Sequence, residues 1–188
     1  MDTMTIKDDL HAKLKASRAV MLARVEGLSE YDMRRPMTPT GTNLLGMIKH
    51  LVGVEQVYFG DSFDRPPPDT LPWNEDGSVW EGADMWATAD ESSDYILDLY
   101  ARACSHSDAT IDALDLDTPG RVPHWPSPDT TLGYLLVWVL EDTAHHAGHA
   151  DICRELIDGS TGSDTATSNT DWSTYLDRIQ AAADSFRS

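Results

Sequence analysis

The sequence predicts an all-α fold: a four-helix bundle with a long crossover between the second and third helices and a short helix at the C-terminus. Three observations point there. Four long segments carry apolar residues at helical spacing. Between the second and third lies a Pro-rich stretch, residues 61–87, that fits no regular element. No alternating run of convincing strand length is present, and no internal repeat. Helices that each carry an apolar stripe bury it against one another, which gives a bundle.

The first helix is expected over residues 6–27, where Leu10, Leu14, Met21, Val25 and Leu28 form the stripe. Pro36 and Pro39 in RRPMTPTGT then discourage helix. The second helix is expected over 43–60, NLLGMIKHLVGVEQVYFG, with Thr42 as N-cap. The crossover carries Trp73, Trp80 and Trp86 among its prolines, so it should pack on the body; long ordered connections are often functional. Thr88 and Glu91 fit a capping box for a third helix over 89–114. A second Pro-rich link, TPGRVPHWPSP, leads to a fourth helix from about Thr131 to Gly159, whose glycine suits a C-cap. These elements define a bundle over 1–160. Residues 161–188 read as a polar linker followed by a short helix carrying Trp172, Tyr175, Leu176, Ile179 and Phe186.

Of the 188 residues, 32 are Asp or Glu and 14 are Lys or Arg, a formal net charge of −18. Such a surface repels phosphate backbones and anionic lipid, which argues against nucleic acid and membrane partners. The N-terminal MDTMTIKDDLHAKLK lacks an apolar signal-peptide region, and no stretch approaches a membrane span, so a cytoplasmic location is expected. Cys104 and Cys153 are far apart and form no CxxC motif.

The fourth helix carries the chemistry. One seam runs Leu135, Val139, Asp142, His146, His149, Cys153, Leu156, at alternating steps of four and three. Three successive seam positions are metal-ligand types. Burying them without partners costs several kcal/mol, about 2–7 for each polar group, and a divalent cation resolves that cost. His145 lies off the seam, although a His145/His149 pair, i and i+4, stays open beside Asp142/His146. Bundles assemble sites from facing helices, and the best outside donor is His50 on the second helix, with Glu55 a weaker one. His11, His106 and His124 are expected near surfaces or links, without a role. The alternative is a buried polar network that binds nothing.

The segments GTNLLGMIKHLVGVEQVYFG at 41–60 and LEDTAHHAGHADICRELIDG at 140–159 resemble the DinB-like superfamily of metal-binding four-helix bundles. The likeness is closest to its actinobacterial branch of mycothiol-dependent enzymes. It implies an up-down-down-up bundle, frequent homodimers and a divalent metal: zinc first, with nickel or iron as alternatives. Mapped onto this chain, the ligands are His50, Asp142 and His146. Many members have histidine where this chain has Asp142, so His149 is retained as a ligand that replaces or joins it. The resemblance also implies a transferase that activates a low-molecular-weight thiol, mycothiol-like, for attack on an electrophile. His149 or His145 would then move the proton, and Arg154 would hold a substrate carboxylate or form a surface ion pair. A metal-dependent hydrolase, and a non-catalytic binding or stress protein on the same bundle, are the competing expectations.

Overall fold

The computed structural model of the protein describes residues 5–161 and 171–187. Seven helices are present among them: α1 (Ile6–Ala23), α2 (Glu30–Arg34), α3 (Leu44–Phe59), α4 (Pro72–Glu75), α5 (Ser93–Ala113), α6 (Leu132–Asp158) and α7 (Trp172–Asp184). The fold is an all-α bundle, as the periodicity predicts, in which α3 packs on both α5 and α6 while α1 packs on α6.

Helix α3 is apolar almost all round, and nearly every residue in it is buried. Such a helix belongs in the centre of a structure. Its neighbours contribute Leu14 and Met21 from α1, Ile96, Leu99 and Tyr100 from α5, and Leu135, Leu136 and Val139 from α6. Side-chain pairs fix the helix directions. Lys7 on α1 donates to the carbonyl of Leu114 just past α5, and Arg18 further along meets Asp108, so α1 and α5 run oppositely. Lys49 on α3 meets Glu91 ahead of α5, while Ser107 within α5 donates to the Glu55 carbonyl, so α3 and α5 run the same way. Only a long connection allows consecutive helices to do that. Arg154 donates to the carbonyls of Arg24 and Glu26, joining the C-terminal ends of α6 and α1.

The caps differ in detail from expectation. Asn43, not Thr42, caps α3 by accepting from the Gly46 amide. Ser92, not Thr88, caps α5. The Thr88 amide does donate to Glu91, but that pair closes a turn ahead of the helix, because Glu91 is also held by Lys49. Thr131 caps α6, and Gly159 ends it with φ +78°, a conformation glycine adopts freely. The short α2 and a two-stranded hairpin, β1 (Pro119–Arg121) with β2 (Asp129–Thr131), were not expected; elements of three to five residues leave too little periodicity to read.

The polar linker falls mostly on residues 162–170, outside those described. Helix α7 forms where a short final helix was expected, and all its residues are exposed. No helix among the described residues is long and apolar enough to cross a membrane.

Candidate metal centre

His50 sits in the middle of α3, and Asp142 and His146 lie one turn apart on the facing side of α6. One ligand atom from each of these three residues falls within 4.8 Å of the other two. His50 Nε2 is 3.9 Å from Asp142 Oδ2, and His146 Nε2 is 3.8 Å from Asp142 Oδ1. The two imidazole rings are 5.1 Å apart, centre to centre. All three side chains are partly buried.

The donor set fits a divalent cation. Asp142 Oδ2 and His146 Nδ1 are buried without a hydrogen-bond partner. Native interiors rarely leave such atoms orphaned. Two imidazoles and a carboxylate suit zinc and its neighbours. Burial pushes the His146 imidazole below its usual range, outweighing the opposing pull of Asp142, and His50, His149 and His145 push the same way. A lowered histidine stays neutral near neutral pH and keeps its lone pair for a ligand.

The structure places the other predicted residues differently. His149 and His145 are exposed on α6 and lie outside the three-residue group, although the His149 ring is only 6.0 Å from that of His146. Arg154 pairs with Asp158 and donates to the carbonyls that end α1, so its donors are committed there. Glu55 is fully buried and takes a two-pronged contact from Arg18, at 2.7 and 2.6 Å, on another side of α3. It is therefore not a partner of His50. His11 is buried, not superficial, and hydrogen bonds to Asp108 at 2.7 Å. His106 is partly buried.

Two features of the site escaped the sequence. Asp84, in the crossover, is 7 % exposed and lies 2.7 Å from His50 Nδ1. It stands 34 positions from its partner, within a segment whose only signal was its length and its tryptophans. The second is a cleft of about 400 Å³ with His50 and Asp84 in its wall. Val54, Val57, Tyr58, Val79, Trp80 and His124 are among its other lining residues, so His124 borders the site. The volume is within the range of small-molecule sites, about 300–1,000 Å³. Burial pushes the Tyr58 phenol above its usual range. A larger, more open groove at Trp125 and Tyr134 is lined by none of His50, Asp142 and His146.

Fold and site together define a class: an all-α bundle that gathers two imidazoles and one carboxylate from two facing helices beside an apolar cleft. Within that class the chain belongs to the mycothiol-S-transferase family, whose family model matches residues 9–159. A crystal structure described as the conserved protein of locus from Enterococcus faecalis has a TM-score of 0.64 to it, at 14% identity, over 84% of this chain and 100% of that one. At that identity the likeness concerns the fold alone. No curated protein matches the chain.

Proposed function

We propose that this chain is a divalent-metal-dependent transferase that passes a low-molecular-weight thiol, mycothiol or a close relative, to an electrophile. The observation that carries this reading is the His50, Asp142 and His146 group beside an apolar cleft, in a chain of the mycothiol-S-transferase family. His50, Asp142 and His146 would hold the ion, zinc before nickel or iron, and three protein ligands leave coordination positions open. When bound, a divalent cation favours the thiolate form of a thiol beside it at neutral pH.

The protein's own groups do the rest. The cleft wall at Val54, Val57 and Trp80 receives the apolar part of the electrophile and excludes water from it. His149, exposed one turn along α6, takes up the thiol proton directly or through water, and His145 is the next imidazole within reach. The sulfur electron pair then forms the new bond to the electrophilic carbon, and the leaving group departs with its own pair.

The test is metal analysis of untagged protein together with His50→Ala and His146→Ala, followed by thiol conjugation of a bimane. About one ion per chain is expected in the wild type, less than a tenth of that in either variant, and no conjugation after chelation. Stoichiometric metal in both variants would break the site. Turnover of esters or amides without added thiol would replace the transferase reading with a hydrolase.

A further inference from the structure

The two histidines of the centre are not held alike. His146 Nδ1 is buried with no partner, whereas His50 Nδ1 faces the Asp84 carboxylate at 2.7 Å. A carboxylate only accepts hydrogen bonds, so the proton of a neutral His50 resides on Nδ1. That leaves the lone pair on Nε2, the nitrogen 3.9 Å from Asp142 Oδ2.

Asp84 is brought there by a strap. Three consecutive crossover residues are tied to the N-terminal half of α3, at His50, Asn43 and Lys49. Asp84 accepts from His50. The Met85 carbonyl accepts from the Asn43 side chain at 3.0 Å. The Trp86 carbonyl accepts from Lys49 Nζ at 3.0 Å, and the same ammonium lies 4.3 Å over the Trp73 ring. Gly46 makes the close approach possible: a Cβ there would lie 1.9 Å from the Met85 carbonyl oxygen. Arg34 on α2 fastens the next residues through the carbonyls of Thr88 and Glu91. Three side chains, Asn43, Lys49 and Arg34, thus fix the backbone that directly follows one buried aspartate.

We infer that Asp84 is a positioning residue, and that the crossover is strapped to α3 at Asn43, Gly46 and Lys49 in order to hold its carboxylate on His50 Nδ1, which fixes the tautomer and ring orientation of that imidazole. The consequence for metal affinity rests on the reading of the centre given above; the tautomer does not. Removing an outer carboxylate of this kind typically weakens metal affinity by about 10–100-fold.

Two readouts test it. In the metal-free protein at mildly alkaline pH, long-range proton–nitrogen NMR should show His50 as the single Nδ1–H tautomer in the wild type and as a mixture in Asp84→Ala. Cobalt(II) affinity, measured by chelator competition, should fall about 10–100-fold in Asp84→Ala. Asp84→Asn, which keeps an acceptor, should recover part of both effects. Gly46→Ala leaves both partners in place but pushes Met85 away, and should reproduce the loss even if Asp84→Ala folds poorly. Gly148→Ala, where a Cβ meets nothing within 4 Å, should bind cobalt like the wild type. An unchanged His50 tautomer in Asp84→Ala, or cobalt affinity within twofold of wild type in both Asp84→Ala and Gly46→Ala, overturns the inference. If the wild type binds no cobalt at all, the metal reading fails and the tautomer alone decides Asp84.

Discussion

Arg18, Glu55, Asp108 and His11 form one polar cluster of the bundle, bridging α1, α3 and α5; His50, Asp142 and His146 form another, between α3 and α6. Both set charge-bearing groups into an apolar core. In the first, Arg18 grips Glu55 with two nitrogens and Asp108 with a third, and His11 and Lys15 complete the Asp108 carboxylate. In the second, no hydrogen bond joins the three residues, and two of their buried atoms have no partner. The lesson is that burying polarity does not by itself mark a site. The first cluster satisfies its own charges; the second brings three ligand-type side chains together with two of their atoms unpartnered, which leaves it able to take a cation. Both clusters draw on α3, and the helix keeps them apart. Glu55 is five residues beyond His50, which turns it by about 140° around the axis.

The contrast is sharpest if each cluster is broken separately. Glu55→Ala should be the most damaging change, because it leaves the buried Arg18 guanidinium without its main partner. A loss of about 3–5 kcal/mol is expected by urea unfolding, with metal affinity unchanged in whatever protein folds. An undiminished stability would show that Arg18 does not need Glu55.

Next in size is the response of the open cluster to its ion. Free metal at about 100 times its Kd should add about 2.7 kcal/mol of stability, which a chelator removes. His146→Ala should abolish that increment while leaving the metal-free protein near its original melting temperature. If the substitution unfolds the apo protein instead, the second cluster is scaffold like the first.

A smaller effect appears in acid. Burial pushes the Asp108 carboxyl up, but hydrogen bonds from His11 and Arg18 and the Arg18 charge outweigh it and hold it below the usual range. A carboxylate lowered in the folded state stabilises the protein fully above its unfolded value, about pH 4. That contribution disappears as pH falls through the lowered folded value. Asp108→Asn should therefore flatten the acid limb of a stability-versus-pH curve and leave the neutral region parallel to wild type; an unchanged acid limb would remove Asp108 from the cluster's charge balance.

The smallest expected change is Arg154→Ala, which removes hydrogen bonds to the carbonyls ending α1. It should lower stability by about 0.5–1.5 kcal/mol and leave the KM for thiol alone. A raised KM would restore the substrate-binding role that the sequence suggested for Arg154.

The four long helices were legible because each spans enough turns for its stripe to register: Leu14 and Met21 on α1, Leu51 and Val54 on α3, and Leu99 and Ala103 on α5 are buried as the spacing predicts. His50, Asp142 and His146 stood out as polar interruptions of such stripes. The reading went astray along α6, where a strict seven-residue seam was extended to His149 and Leu156. A straight helix drifts about 20° per heptad from such a seam. The buried line follows Val139, Thr143, Ala147 and Ala150 instead, and Leu156 is 66 % exposed. Asp84 was illegible for a different reason. Its place depends on the path of an irregular crossover, set by hydrogen bonds from Asn43 and Lys49 that carry no period.

The two cysteines acquire a meaning from where the bundle puts them. Cys153 is 4 % exposed in the core, and Cys104 is half-hidden beside Glu55. Burial pushes both thiols above their ordinary range, and Glu55 adds to the effect on Cys104. Neither is then a nucleophile at neutral pH. A thiol kept protonated by burial reacts slowly with electrophiles, so under the transferase reading proposed above the protein's own cysteines would be spared while a small thiol is consumed.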